Sequence, residues 1–307
     1  MSIWLAAAMS AVLLTQPAAA STAPPAEEGT TVDSLVVTAR PIPEKEAIKA
    51  FVGTIADETG NNRLGRWDRK ICPGVVGLRA DYAQLLVDRI AETAVEVGLE
   101  VGEPGCKANM IVLATAESDK LAKGMVKDYP EAFAKFDSGI RASRRALDRF
   151  TVSKAPVRWW HVIARTTADG QRYQKGDQIR VRDIGRLRGG TRDDFDRVII
   201  IMDVTRIGKL RFASLADYIA MVGLAQIEPE AEITGVSTVL NLFADRAVGA
   251  EPVARMTEWD KAYLKGLYAA RRDVRKGEAQ EDDIARSMAD DLAKPAQPAQ
   301  PATPADD

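Results

Sequence analysis

Hydrophobic residues recur every four positions between residues 79 and 97, which is the spacing of one face of an amphipathic helix. The repeat is carried by Tyr82, Leu86, Ile90 and Ala94. Gly98 follows directly and suits the left-handed conformation that ends many helices. Short apolar runs flank this helix at 71–78, where Pro73 favours a strand start or a sheet edge, and at 109–115. The order strand, helix, strand predicts a right-handed crossover between two parallel strands.

The second half of the chain alternates between further apolar runs and polar stretches. Nearly continuous apolar residues at 197–204 predict a strand that is covered on both faces. The run VRWWHVIART at 157–166 predicts another strand, with Trp159 and His161 on one face and Trp160 on the other. Further helices are predicted over 118–150, with a break near Pro130, and over 214–227, 259–270 and 279–292.

Two of these helices are preceded by a hydroxyl residue with a carboxylate three residues later, which is typical of a capping box. Ser214 and Asp217 form the first pair, and Thr257 and Asp260 form the second. The elements together predict an α+β or α/β fold, with a mixed sheet of four or five strands flanked by helices.

The two ends of the chain differ in composition from the part between them. An apolar run at 3–14 is too short to span a bilayer, and the small residues after it predict a signal peptide over 1–20. The alternative is a buried N-terminal helix. Residues 21–45 and the Ala/Pro-rich tail over 293–307 are expected to be disordered, which leaves one globular domain over 46–292. We therefore expect a periplasmic or secreted protein with no transmembrane segment after cleavage.

The chain has two cysteines, Cys72 and Cys106. In an oxidising compartment, an even count favours a disulfide. Each cysteine lies near the start of one of two predicted neighbouring parallel strands, which also favours pairing. A bridge across this loop would contribute about 3–4 kcal/mol in the chain-entropy model. The alternative is a pair of buried free thiols.

Only one histidine, His161, occurs in the chain. Catalytic zinc sites with two or three imidazoles are therefore excluded, and so are most serine or cysteine nucleophiles with a histidine base. The glycine-rich motifs of nucleotide sites are absent too. We assign no catalytic residue, metal ligand or cofactor. Trp159, Trp160 and His161 remain an aromatic and titratable candidate site for sugar stacking, and the alternative is that they belong to the core.

Positive charge is concentrated in one region. Residues 141–192 contain 14 Lys or Arg against four Asp, although the whole chain has a net charge of −2. A glycine-rich loop there carries a candidate anion-binding set: Arg180, Arg182, Arg186, Arg188 and Arg192. Lipid phosphate, anionic polysaccharide and peptidoglycan are the expected partners, whereas nucleic acid is not expected for an exported protein. The alternative is a solvated surface paired internally with Asp183, Asp193, Asp194 and Asp196.

The C-terminal half resembles the metzincin-type zinc peptidases. In that family a helix carries the zinc ligands, a short turn follows, and a closing helix comes next. The corresponding segments here are the 214–227 helix, the turn near Leu240 and Asn241, and MTEWDKAYLKGLY at 256–268, which matches the closing helix through Thr257, Asp260, Leu264, Leu267 and Tyr268. The three ligand slots hold Leu215, Ile219 and Ala225, which cannot bind zinc. The resemblance implies a zincin-like scaffold without its metal, and the alternative is an unrelated α+β domain.

The segment LVVTAR at 35–40 resembles the TonB box of outer-membrane TonB-dependent receptors. In that family the segment adds as a strand to the TonB protein. The resemblance implies TonB as a partner through residues 35–40, and the alternative is a linker strand that docks on its own domain.

Three hypotheses of function follow. The first is an exported, non-catalytic binding or scaffold protein of the cell envelope. The second is a hydrolase that uses paired carboxylates on envelope glycan, which needs no histidine. The third is an accessory factor in TonB-linked transport.

Overall fold

The structure is a computed structural model and describes residues 44–56, 63–133, 144–172, 188–244 and 253–294. The predicted signal peptide, the segment 35–40 and the tail from 295 onward lie outside these residues, so they stay predictions. Among the described residues, no helix is long and apolar enough to cross a membrane.

In the described ranges, four strands form one mixed sheet: β1 (Pro73–Val76), β2 (Met110–Thr115), β3 (Val157–Thr167) and β4 (Thr191–Asp203). Their order across the sheet is β1-β2-β4-β3. β1, β2 and β4 run parallel, whereas β3 lies at one edge and runs antiparallel to β4. The structure therefore confirms an α+β arrangement in which helices flank a mixed sheet.

The described helices are α1 (Lys45–Ile55), α2 (Ala80–Glu96), α3 (Ser118–Asp128), α4 (Pro130–Phe133), α5 (Arg144–Val152), α6 (Phe212–Leu224), α7 (Glu258–Ala269) and α8 (Gly277–Leu292), with a 3₁₀ turn over Val239–Phe243. Side chains along the strands alternate between two cores. α1, α2, α6, α7 and α8 bury apolar residues on one face of the sheet, and α3, α4 and α5 do so on the other.

The predicted crossover is present, with α2 joining the parallel strands β1 and β2. Pro73 is the first residue of β1, an edge strand, where a missing N–H is tolerated. Gly98 follows α2 with a φ of 80°. Cys72 and Cys106 are joined by a disulfide whose Cα atoms are 6.0 Å apart. Local periodicity and cysteine placement together predicted this part of the fold.

The capping box predicted at the start of α6 is wrong. α6 begins at Phe212, and its N-cap residue Arg211 makes no side-chain cap. Ser214 instead donates to the carbonyl of Ala254 at 2.7 Å. The carboxylate of Asp217 does not cap α6 but contacts α2 and the segment that leads into α7.

Asp217 is completely buried. It accepts a hydrogen bond from the N–H of Met256 at 2.6 Å and forms ion pairs with Arg89 in α2 and with Arg255. One carboxylate inside the core therefore ties α6 to α2 and to the segment that leads into α7.

The capping box predicted at the start of α7 is confirmed. The backbone N–H of Asp260 donates to Thr257 Oγ1, and the Asp260 carboxylate accepts from the N–H of Thr257 at 2.8 Å. The same carboxylate accepts from the N–H of Val239 at 2.9 Å and from the hydroxyl of Thr238 at 2.5 Å. Asp260 therefore fixes the 3₁₀ turn against α7 as well as starting the helix.

β4 begins at Thr191, six residues before the predicted start at 197. The sequence pattern places Arg192 in a loop, but the structure places it inside this strand. Strand pairing with β3 continues through residues 191–197. A polar sequence can occupy a buried strand here because its charges find partners in other segments.

Candidate functional site

The first half of β4 is both charged and buried. Arg192, Asp193, Asp194 and Asp196 are each at most 9% exposed. Removing an ion from water costs several kcal/mol unless opposite charges and hydrogen bonds accompany it. Residues 63–70, which lie beside this strand, supply many of the partners.

The segment 63–70 is held against β4 by its backbone and by a buried indole. The N–H of Phe195 donates to the carbonyl of Arg66 at 3.0 Å. Trp67 is completely buried, packs edge-on against Phe195 and donates its Nε1–H to the carbonyl of Gly223 in α6 at 2.9 Å. These contacts fix the arginines of the segment in position.

Each buried aspartate of the strand meets guanidinium groups. Asp193 accepts from Nε of Arg165 at 3.1 Å and from Arg63 at 3.4 Å. Asp194 accepts from Nε of Arg192 at 3.0 Å. The strand's carboxylates are thereby paired with cations from three separate segments.

Asp68 extends the ion pairs toward the surface. It accepts from both Arg192 and Arg272. Arg272 also lies 3.9 Å from Oδ1 of Asp194, which is an ion-pair distance but too long for a hydrogen bond. Among the described residues, Oδ1 of Asp194 and Nε of Arg272 are buried without a hydrogen-bond partner.

Arg66 has no ion pair within the described part of the chain. Its guanidinium donates to the carbonyls of Leu267 and Ala270 at the C-terminal end of α7, the second at 2.7 Å. Burial and the nearby guanidinium of Arg272 lower the pKa of Arg66 to about 10. The group is therefore still protonated at neutral pH.

Asp196 is surrounded by Arg69, Arg172 and Arg197, which we call the arginine trio. Arg172 approaches the carboxylate to 2.5 Å, Arg197 to 3.3 Å and Arg69 to 3.6 Å. Arg69 also donates to the backbone carbonyl of Asp196. Burial, with the neighbouring Arg172 and Arg197, lowers the pKa of Arg69.

These residues form what we call the arginine–aspartate network. Its members are Arg63, Arg66, Arg69, Arg165, Arg172, Arg192, Arg197 and Arg272, with Asp68, Asp193, Asp194 and Asp196. Eight cations face four anions, so the members carry a surplus of four positive charges.

A depression of about 580 Å³ lies beside the network. Its cationic wall is formed by Arg66, Arg69, Lys70 and Arg272. Its two acidic residues are both ion-paired. Asp68 pairs with Arg192 and Arg272, and Glu100 pairs with Lys70 at 3.5 Å. Guanidinium groups are the side chains that pair most readily with phosphates and carboxylates.

The structure places the sequence-predicted arginines in different settings. Arg180, Arg182 and Arg186 lie outside the described residues. Arg188 is 73% exposed and lies 3.7 Å from Asp273. Arg192 is a buried member of the network, paired within the chain. Sequence reasoning missed the network arginines outside the predicted loop, although the charged runs RLGRWDRK at 63–70 and RRDVR at 271–275 are visible in the sequence.

Both tryptophan candidates lie inside the protein. Trp159 donates its Nε1–H to the carbonyl of Ile227, and Trp160, on the other face of the sheet, donates to that of Phe133. Both indoles are at most 7% exposed. Neither presents a ring face for stacking a sugar.

His161 is less completely covered than the two indoles and is partly exposed. Its Nε2 lies 2.8 Å from the carbonyl of Val222, and the ring stacks on Phe195. Burial lowers the pKa of His161 to about 4, although backbone hydrogen bonds act in the opposite direction. The imidazole is therefore neutral at physiological pH.

α6, the helix for which the sequence leads us to expect a zincin-like scaffold, lies in the core. All residues of α6 from Ser214 to Leu224 are buried. The three slots of the zinc ligands, Leu215, Ile219 and Ala225, are at most 4% exposed. In the described part of the chain, no cluster of three or more His, Cys, Asp or Glu residues is arranged to hold a metal.

Comparison with known proteins adds no relative. No protein-family model, curated protein or solved structure matches this chain. Functional inference therefore depends on the residues themselves.

Proposed function

We propose that this chain is an exported, non-catalytic binding protein that recognises anionic components of the cell envelope. The observation that carries the proposal is the fourfold positive surplus of the arginine–aspartate network beside a depression. Guanidinium groups form paired hydrogen bonds with phosphates and carboxylates, which lipid phosphate, anionic polysaccharide and peptidoglycan all offer. The disulfide supports export, because such bonds persist mainly in oxidising compartments.

A zincin-like scaffold that has lost its metal is the second part of the proposal. The order of α6, the 3₁₀ turn and α7 agrees with the order that the resemblance implies. Buried apolar side chains in the ligand slots cannot coordinate zinc or activate water. A scaffold of this kind would serve to present the charged surface.

The alternatives gain no specific support. A carboxylate-dependent hydrolase needs two carboxyl groups that face each other across a cleft, and the two in the depression are each engaged by cations. A role in TonB-linked transport depends on residues 35–40, which lie outside the described residues.

Metal analysis and binding measurements on the chain from residue 21 onward test the proposal. We expect no stoichiometric zinc, and we expect binding to peptidoglycan sacculi or to vesicles of anionic lipid that weakens as the salt concentration rises. Vesicles of zwitterionic lipid are the control. One zinc per chain, or no preference for any anionic envelope component, would overturn it.

A further inference from the structure

The arginine trio around Asp196 is arranged differently from the rest of the network. The Asp196 side chain is only 6% exposed, whereas those of Arg69, Arg172 and Arg197 are 35–42% exposed. The carboxylate therefore lies beneath the cations, and the guanidinium groups face solvent. Elsewhere in the network, Asp193 and Asp194 each pair with one deeply buried arginine, Arg63 and Arg192. Each also pairs with one more exposed arginine, Arg165 at 31% and Arg272 at 29%, whereas all three arginines of the trio are at least 35% exposed.

The trio carries more positive charge than its carboxylate neutralises. Three guanidinium groups and one carboxylate leave two positive charges among these residues, and like charges this close repel one another. A ligand group with two negative charges would restore the balance. A phosphate monoester carries nearly that charge at neutral pH.

The trio also has hydrogen-bond donors to offer such a group. A guanidinium has five N–H donors. Toward the described residues, Arg69 uses Nη2, Arg172 uses Nη1, and Arg197 uses Nε and Nη2. The other donors of the three planar groups suit the several oxygens of a phosphate.

Arg69 links the trio to the depression, because it also belongs to the wall of that depression. The depression's volume of about 580 Å³ falls in the range of sites for small organic ligands. Val97, Leu99 and Tyr268 contribute to its wall beside the cations. A ligand larger than inorganic phosphate would place its phosphate at the trio and an uncharged part against Val97, Leu99 and Tyr268.

We infer that the arginine trio and the adjoining depression bind a phosphate monoester carried on a sugar-sized organic group. The inference rests on the proposed function and specifies the anion that is recognised. Either a soluble sugar phosphate or a phosphomonoester lipid headgroup could supply this chemistry, so the test includes both.

Calorimetric titration with glucose 6-phosphate tests the site in the wild type and in Arg172→Gln and Arg197→Gln. Losing one charge-assisted hydrogen-bonding group weakens binding by about tenfold or more. Arg79→Gln is the matched control, because Arg79 is 74% exposed and pairs with Asp81 outside the site. Arg172→Lys keeps the charge without the planar fork and should give an intermediate affinity. Melting temperatures without ligand establish that each variant is folded.

Sedimentation with vesicles that contain phosphatidic acid, against vesicles of phosphatidylcholine alone, tests the lipid source. Trio-dependent binding to the sugar phosphate or to the phosphatidic acid vesicles supports the inference and identifies the source. Equal affinity of wild type and both trio variants overturns it, as does failure of the wild type to bind either ligand. Sulfate binding as tightly as the sugar phosphate also overturns it, because the site would then accept any dianion.

The two proposals fail separately. Binding to sacculi or anionic vesicles that is unchanged in the trio variants leaves the proposed function standing and removes the inference. Trio-dependent binding of the sugar phosphate by a chain that binds no envelope component removes the proposed function and leaves the phosphate site standing.

Discussion

Replacing His161 tests how strongly the surroundings of this side chain in β3 disfavour a charge. The Nε2–H of His161 donates to the carbonyl of Val222, and the ring centroid lies 4.8 Å from that of Phe195. Burial lowers the pKa of this imidazole to about 4. Since it is the only histidine of the chain, its titration can be observed without overlap.

The shift in pKa predicts a definite dependence of stability on pH. In the unfolded chain the imidazole takes up a proton near pH 6.5, but the folded chain resists protonation until about pH 4. Between these values the unfolded chain binds more protons, so the free energy of unfolding falls as the pH falls. A difference of about 2.5 pKa units corresponds to about 3 kcal/mol. This contribution is complete above pH 6.5 and is lost as the pH falls toward 4.

Urea unfolding of the wild type and His161→Gln at several pH values between 7.5 and 4 measures this effect. The variant should be less stable at pH 7.5, because it loses the stacking on Phe195. The gap between the two proteins should then close by about 3 kcal/mol as the pH falls to 4. Parallel stability curves, or an imidazole NMR signal that titrates near pH 6.5, would refute the reasoning.

Three further predictions concern packing and cross-links. Asp217→Ala should lower the free energy of unfolding by about 3–5 kcal/mol, because it removes a fully buried carboxylate from the mostly buried Arg89 and from the N–H of Met256. Arg255→Ala, at a partner that is 57% exposed, should cost less than about 1 kcal/mol, and equal losses in urea unfolding would contradict this. Gly77→Ala should cost roughly 2–4 kcal/mol, because φ is 88° and the added Cβ overlaps the carbonyl oxygen of the neighbouring strand. Gly105→Ala, with φ of 84° and open space, should cost only about 1 kcal/mol, and matching melting temperatures for the two variants would count against the steric reason. Reducing the disulfide should cost about 2–4 kcal/mol, and calorimetry with and without reductant should show the lowered transition.

Local sequence patterns predicted those elements whose start, end and buried face depend on residues close together in the sequence. α2 repeats its apolar residues at helical spacing, and Gly98 ends it. Thr257 and Asp260 predicted the start of α7, because their side chains form hydrogen bonds with backbone groups only a few residues away. The predicted start of α6 is wrong because Ser214 and Asp217 have the same spacing but bind residues that are distant in the sequence. At Asp217 the capping pattern does not mark a helix start, because Arg89, Arg255 and the N–H of Met256 engage the carboxylate instead.

The candidate site could be predicted only in part, because its burial depends on distant partners. TRDDFDR at 191–197 has the composition of a loop, and no local pattern marks it as a strand. The structure pairs its charges with side chains about 130 positions away, such as Arg63 for Asp193 and Arg69 for Asp196. The excess of basic residues at 141–192 was visible in the sequence and led to Arg192.

The surplus of positive charge, in contrast, could not be derived from a total of −2. Charge balance in a folded protein is local, since opposite charges interact strongly only within a few ångströms or across a dry interior. Much of the acidic excess lies outside the network, as in α8, where Asp282, Asp283 and Asp291 pair with other cations. The fold must first bring residues 63–70, 165–172 and 191–197 together with Arg272. Only then do eight guanidinium groups face four carboxylates, which leaves the surplus of positive charge on which the proposal of anion binding rests.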